Sequence, residues 1–244
     1  MRTPVLGAML LALTSLACDN SVGPLKSNVQ VSFATRSSVS AAAPTLAPTG
    51  WRAASNDTVT TGADTIVITK AQLVLRQIEL KTAQTDLCGS GTGGECPEIE
   101  LGPVLVDLPL VPGAQQQFGV TIPAGSYSEV DFEIYKVTPQ DPAALQVLLD
   151  RSLHVEGTYN HQSFTFESSL DVEQELVMMP ALVVTDTAAT NITIQVSLDR
   201  WFRDVNSGAL LDPREVANRS AIEEAIKVSL KAFRDDDHDG QIDP

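Results

Sequence analysis

Positive charge is scarce in this chain. Its 244 residues hold 16 Lys and Arg against 31 Asp and Glu, a net charge of −15. Nucleic-acid binding needs a basic stripe to displace phosphate counterions, and none is present, so nucleic acid is excluded as a partner. An acidic surface suits divalent cations or plain solubility. Histidine and cysteine are rare too, three of each. A zinc site built from the Cys88–Cys96 segment would need His154, His161 or His238 as further ligands. Missing as well are G-x-S-x-G, H-E-x-x-H and an S-x-x-K in a plausible setting, and with them the usual constellations of nucleophilic and zinc-dependent hydrolysis. No internal repeat is visible.

The long apolar run that would span a bilayer is also missing. The apolar stretch Val5–Leu13 is too short, and with Arg2 before it and Ser15-Leu16-Ala17 after it, it reads as the core of an export signal. "SLAC" followed by "DN" resembles the lipobox of bacterial lipoproteins, in which the cysteine is acylated and the leader is cut before it. The resemblance departs at Ser15, where that family prefers Leu. It implies a signal peptide over 1–17, a lipid on Cys18 and a tether over 18–27. The protein would then sit on the bacterial cell envelope, at a periplasmic or outer surface, with the membrane as partner through that lipid. Export to an oxidising space favours a disulfide between the two remaining cysteines, Cys88 and Cys96, which bracket the Gly-rich "CGSGTGGEC". Closing so short a loop contributes roughly 2.5 kcal/mol where the geometry is unstrained.

What the chain has in quantity is Val, Thr, Ser, Leu and Ile, in two-residue alternation. Val29, Val31 and Phe33 mark one strand. Residues 37–64, rich in Ser, Ala, Thr and Pro, read as a flexible loop with Trp51 inside it. "DTIVITKAQLVLRQIELK" carries Leu73 and Leu75 on one apolar phase and Ile78 and Leu80 on the other. Alternation cannot change phase without a bulge, so one is expected near Arg76-Gln77. Further strands follow at Val104–Leu110, Phe118–Ile122, Val130–Ile134, Leu176–Val184 and Ile192–Leu198. A hairpin turns at Asn160-His161, and Asp141-Pro142 is expected to start a short helix. About ten short strands without βαβ alternation predict an all-β, antiparallel β-sandwich, Ig-like or transthyretin-like, over 28–211. "ITKAQLVLRQIEL", "IPAGSYSEVDFEI", "VEGTYNHQSFTF" and "ITIQVSLDRWF" resemble an uncharacterised family of secreted bacterial β-sandwich lipoproteins, a resemblance that brings no activity with it.

From Asp212 the text turns helical. "DPRE" and "SAIE" have the shape of capping boxes, and Ile222, Ala225, Ile226, Ser229 and Phe233 fall on one stripe. These predict a helical segment over 212–234, with the helix itself at about 220–233. The tail 235–244, "DDDHDGQIDP", then spaces its aspartates D-x-D-x-D-G. That spacing resembles the first nine places of an EF-hand or dockerin calcium loop with its entering helix. The resemblance implies carboxylate ligands from Asp235, Asp237 and Asp239, the backbone carbonyl of Gln241, and Asp243 through a water. Gly240 takes the sharp turn and Ile242 the inward apolar place; the bidentate acid of the twelfth place would fall at residue 246. A flexible all-oxygen site favours Ca²⁺ over Mg²⁺, with weak affinity, on the order of 10⁻⁴ M. His238 points away from the alternate set.

The expected function is therefore a non-enzymatic envelope lipoprotein, a β-sandwich with one weak structural Ca²⁺ site. A second reading is a module binding glycan or protein, with Trp201 or Trp51 as a stacking platform. A third is a hydrolase using paired carboxylates such as Asp131 and Glu133.

Overall fold

A computed structural model of the chain describes residues 28–36, 57–61, 64–82, 102–110, 114–185 and 187–243. The expected leader, the lipidated Cys18 and its tether, the Cys88–Cys96 pair and Trp51 lie outside the described residues.

Two sheets form the body. The smaller holds β1 (Val29–Thr35), β5 (Gln115–Val120), β10 (Thr190–Val196) and β11 (Leu230–Arg234), in the order β11-β10-β1-β5. The larger is built on β3 (Asp64–Thr82), with β6 (Gly125–Ile134), β7 (Leu153–Tyr159), β8 (Gln162–Ser168) and β9 (Val172–Val184) in the order β8-β7-β3-β6-β9. β2 (Asp57–Thr61) and β4 (Val104–Asp107) also pair with β3. β2 falls inside the stretch 37–64 read as a flexible loop: the alternating "DTVTT" runs back antiparallel along Asp64–Ile68. Pairing is antiparallel except between β1 and β10, which run parallel over Val29–Thr35 and Thr190–Val196.

The fold is thus the expected all-β sandwich with a short C-terminal helix, and the alternation shows why. Val29, Val31 and Phe33 of β1, with Ile192, Ile194 and Val196 of β10, face Ile66, Ile68, Leu73 and Phe132 of the larger sheet in one buried cluster. Each such side chain contributes roughly 1.5–3 kcal/mol by leaving water. The phase change in β3 is a bulge: pairing with β6 slips between Arg76 and Glu79, and Gln77 takes φ 55°. The hairpin between β7 and β8 turns at Asn160 (φ 48°) and His161 (φ 66°), the left-handed pair that a two-residue primed turn requires. Gly157 in β7 shows how tightly the strands meet, since a Cβ there would lie 2.2 Å from the Val67 carbonyl oxygen. Gly157→Ala should therefore destabilise the protein by about 1–3 kcal/mol, read as a lower urea midpoint.

Two helical expectations are corrected. α1 (Leu198–Trp201) and α2 (Arg219–Lys227) are the α-helices among the described residues, and α2 ends six residues before the expected Phe233. Ser229 Oγ donates to the Ile226 carbonyl (2.7 Å), and Leu230–Arg234 becomes β11, antiparallel to β10. Ser229 and Phe233 fit a helical stripe and a strand equally well; the unpaired edge of β10 decides for the strand, whose ladder satisfies backbone groups on both sides. The segment 212–234 is therefore only partly helical, and the sandwich takes in residues beyond 211. Neither capping box forms: α2 has no side-chain cap, and Glu223 instead accepts a hydrogen bond from Ser168 Oγ (2.7 Å). After Pro142 comes a 3-10 turn, Ala143–Leu148, that Asp141 does not cap. The Asp141 carboxylate accepts instead from Thr138 N (2.6 Å) and from Tyr135 OH (2.9 Å), which closes the preceding turn.

Candidate metal centre

β11 delivers the chain to Asp235 on the outer face of the smaller sheet. The Asp235 amide donates to the Asn191 carbonyl (3.1 Å), extending the ladder by one rung, and the side chain is fully buried. One carboxylate oxygen accepts from Asp239 N (3.0 Å); the other accepts from Gly240 N (3.1 Å) and Thr193 Oγ1 (2.7 Å). The chain curls around this carboxylate, with His238 (φ 59°) and Gly240 (φ 79°) in the left-handed region. Burial pushes the Asp235 carboxyl above its ordinary range; the Thr193, Gly240 and Asp239 hydrogen bonds oppose this, and the Asp239 charge adds to it.

Asp235, Asp237 and Asp239 each bring an oxygen to one point, all within 4.8 Å of one another. These three acidic residues could hold a metal ion. Asp237 and Asp239 are exposed, so the group has a buried base and an open mouth. The same aspartates organise the loop: Asp237 Oδ1 accepts from Asp239 N (3.2 Å) and Asp239 Oδ1 from Gln241 N (2.7 Å). The Gln241 amide side chain donates to Asp239 Oδ2 (2.9 Å). Asp243 lies apart from the cluster, its Oδ2 accepting from Asp236 N (2.6 Å) and its own amide donating to the Arg234 carbonyl (3.0 Å). Ile242 is 59% exposed rather than turned inward, and the loop is entered from a strand, not a helix.

Sequence reasoning missed the floor beneath the loop. Ser32, Asn191 and Thr193 are buried polar residues on neighbouring strands, where the outer face of a sandwich is ordinarily wet. Asn191 Nδ2 donates to the Asp235 carbonyl (2.7 Å), and Ser32 Oγ donates to Asn191 Oδ1 (2.7 Å). His238 places Nδ1 3.4 Å from Ser32 Oγ, and its carbonyl accepts from Ala114 N (3.0 Å), just before β5. Gln195 Nε2 donates to the Gly240 carbonyl (3.1 Å). The loop is thereby fastened to β1, β10 and the start of β5. The only advance signal was "TNITIQ", whose outward positions carry side chains able to hydrogen-bond.

A second acidic group, Glu129, Asp131 and Glu175, already surrounds a cation. Lys81 Nζ pairs with Glu129 (3.0 Å), Glu175 (3.6 Å) and Asp131. Its hydrogen bonds to Asp131 and Glu129 raise the ammonium well above its ordinary pKa; Glu129 is lowered by Lys81, while burial raises Asp131. Glu133, offered with Asp131 as a hydrolytic pair, is bound by Arg76 (2.6 Å). Both carboxylates are thus engaged by cations. Trp201 and Phe202 are fully buried, so neither forms a stacking platform. His154 lies between Glu156 (2.8 Å) and Glu167 (3.2 Å), more enclosed than a solvent-facing strand residue.

No protein-family model, curated protein or solved structure matches the chain.

Proposed function

We propose that the protein is a non-enzymatic lipoprotein of the bacterial envelope, held to the membrane through Cys18, whose sandwich carries one structural Ca²⁺ in the loop Asp235–Asp243. The observation that carries the cation is the Asp235 carboxylate, buried at the base of a loop that turns two more carboxylates towards it. An ion there offsets the cost of burying that charge and the repulsion among three acids. Because the loop is fastened to β1, β10 and the approach to β5, its closure is coupled to the closure of the smaller sheet. Hard, adaptable oxygen donors favour Ca²⁺ over Mg²⁺, with Asp237 and Asp239 at the open side and the Gln241 carbonyl and water completing the shell.

Calorimetric titration and thermal melts with calcium and with chelator test this reading. With a Kd on the order of 10⁻⁴ M, a tenfold excess of free Ca²⁺ should stabilise the fold by about 1.4 kcal/mol. That raises the melting temperature by roughly 3–6 °C, and Mg²⁺ should do less. Absence of both binding heat and a melting shift would remove the cation from the proposal. The lipid on Cys18 is checked separately by mass spectrometry of the exported protein, with Cys18→Ala expected to release it from the membrane fraction.

A further inference from the structure

The outer surface of β6 and β9 has a composition unsuited to water alone. Asp131 stands directly opposite Glu175 and Glu133 opposite Glu173, and on the other side Asp131 is paired with Glu79. Like charges directly opposite one another across a sheet are destabilising. Lys81 and Arg76 neutralise part of this surface, but acids remain in excess, and Asp131 Oδ1 is buried without a hydrogen-bond partner. The next outward position along β9 after Glu175 is Val177, opposite Glu129. With it the character changes: Val177 is 64% exposed, Met179 79% and Val183 61%. β9 ends its sheet, and single exposed apolar residues are ordinary, but here three share one edge strand and continue an acidic row.

We propose that this face docks an extended segment of another protein whose inward-facing side chains are first basic and then apolar. Charge decides the occupant. A second copy would bring another chain of net charge −15. Residues 83–101 of the same chain carry Asp86, Glu95, Glu98 and Glu100 and no Lys or Arg. Anionic lipid has the same sign and is repelled likewise. A cationic partner instead pairs with Glu173 and Glu175, the acids of the row left exposed, while its apolar side chains cover Val177 and Met179. Steps of two residues along β9 are about 7 Å, and alternate residues of an extended segment share one face, so Lys or Arg at two successive facing positions followed by Val or Leu at the next two matches the row. The proposal stands independently of the cation loop, which lies on the other sheet.

The probe is a fluorescent Lys-Ser-Lys-Ser-Val-Ser-Val peptide, compared with a Lys-Ser-Lys-Ser-Ser-Ser-Ser peptide of equal charge, titrated into the full chain at physiological ionic strength. The peptide with Val should bind about tenfold more tightly than the one without. Glu173→Gln with Glu175→Gln, and separately Val177→Ser with Met179→Ser, should each weaken it about tenfold, with melting temperatures no lower than the parent's, because all four side chains lie on the surface and the Gln variants remove like-charge pairs. Equal affinity for the two peptides would reduce the face to a general acidic surface and overturn the proposal. So would binding that survives both double variants. Self-association, or binding to neutral phosphatidylcholine vesicles, that disappears in the Val177→Ser/Met179→Ser variant would overturn it in favour of a second copy or a lipid surface.

Discussion

Trp201→Ala should lower the stability of the protein by about 3–5 kcal/mol, the largest loss expected from any single truncation in the described core. The indole ends α1, directly after β10, and is fully buried. Its Nε1 donates to Ser229 Oγ (2.7 Å), and that hydroxyl donates in turn to the Ile226 carbonyl (2.7 Å). Trp201 therefore packs where α2 stops and the chain turns into β11. Neighbouring Phe202 is held edge-on by Phe164 (5.5 Å between ring centres) and Phe166 (5.9 Å), leaving little freedom for the surroundings to collapse into the vacated volume. Trp201→Phe keeps most of the apolar volume but loses the donor, so about 1–2 kcal/mol is expected there. Urea unfolding followed by far-ultraviolet circular dichroism reads both. A loss below about 1 kcal/mol for Trp201→Ala would show that the indole is not a core residue and would reopen the stacking-platform reading.

The sequence announces its local geometry far better than its long-range pairing. The bulge at Gln77 was legible because Leu75 and Ile78 cannot face the same core without an extra residue between strands. The Asn160-His161 turn was legible because those side chains tolerate positive φ between alternating strands. Nothing local says that β1 runs parallel to β10, since alternation marks a face and carries no direction. The Leu230–Arg234 segment forms a strand where a helix is expected for a related reason: its pattern allows both periods, and the choice belongs to the distant edge of β10. At the candidate site, the ligand spacing Asp235, Asp237, Asp239 lies within five residues and was visible. The floor supplied by Ser32, Asn191 and Thr193 depends on strands far apart in sequence and was not. Three alternate aspartates meet at one point within the loop, yet a strand leads into it, because its support comes from a sheet.

That division of roles predicts opposite outcomes at two aspartates of one cluster. Asp235→Ala removes the acceptor shared by Asp239 N, Gly240 N and Thr193 Oγ1, in a place that water reaches poorly. Leaving such donors unsatisfied costs about 1–3 kcal/mol each at most sites, so a total loss of about 2–5 kcal/mol is expected even in chelator, once the relief of the buried charge is set against it. Asp237→Asn touches an exposed carboxylate whose one hydrogen bond, from Asp239 N, the amide oxygen can keep. Its melting temperature in chelator should stay within about 1 °C of the parent, while its calcium affinity falls about tenfold or more as one ligand charge is lost. Melts with calcium and with chelator separate the two effects in one experiment. If Asp237→Asn retains the full calcium increment, the three aspartates are not the binding site, and their role is confined to holding the tail against the sheet. If Asp235→Ala is tolerated in chelator, the loop is not fastened through its buried carboxylate. The coupling of cation to sandwich stability then fails even if an ion still binds at Asp237 and Asp239.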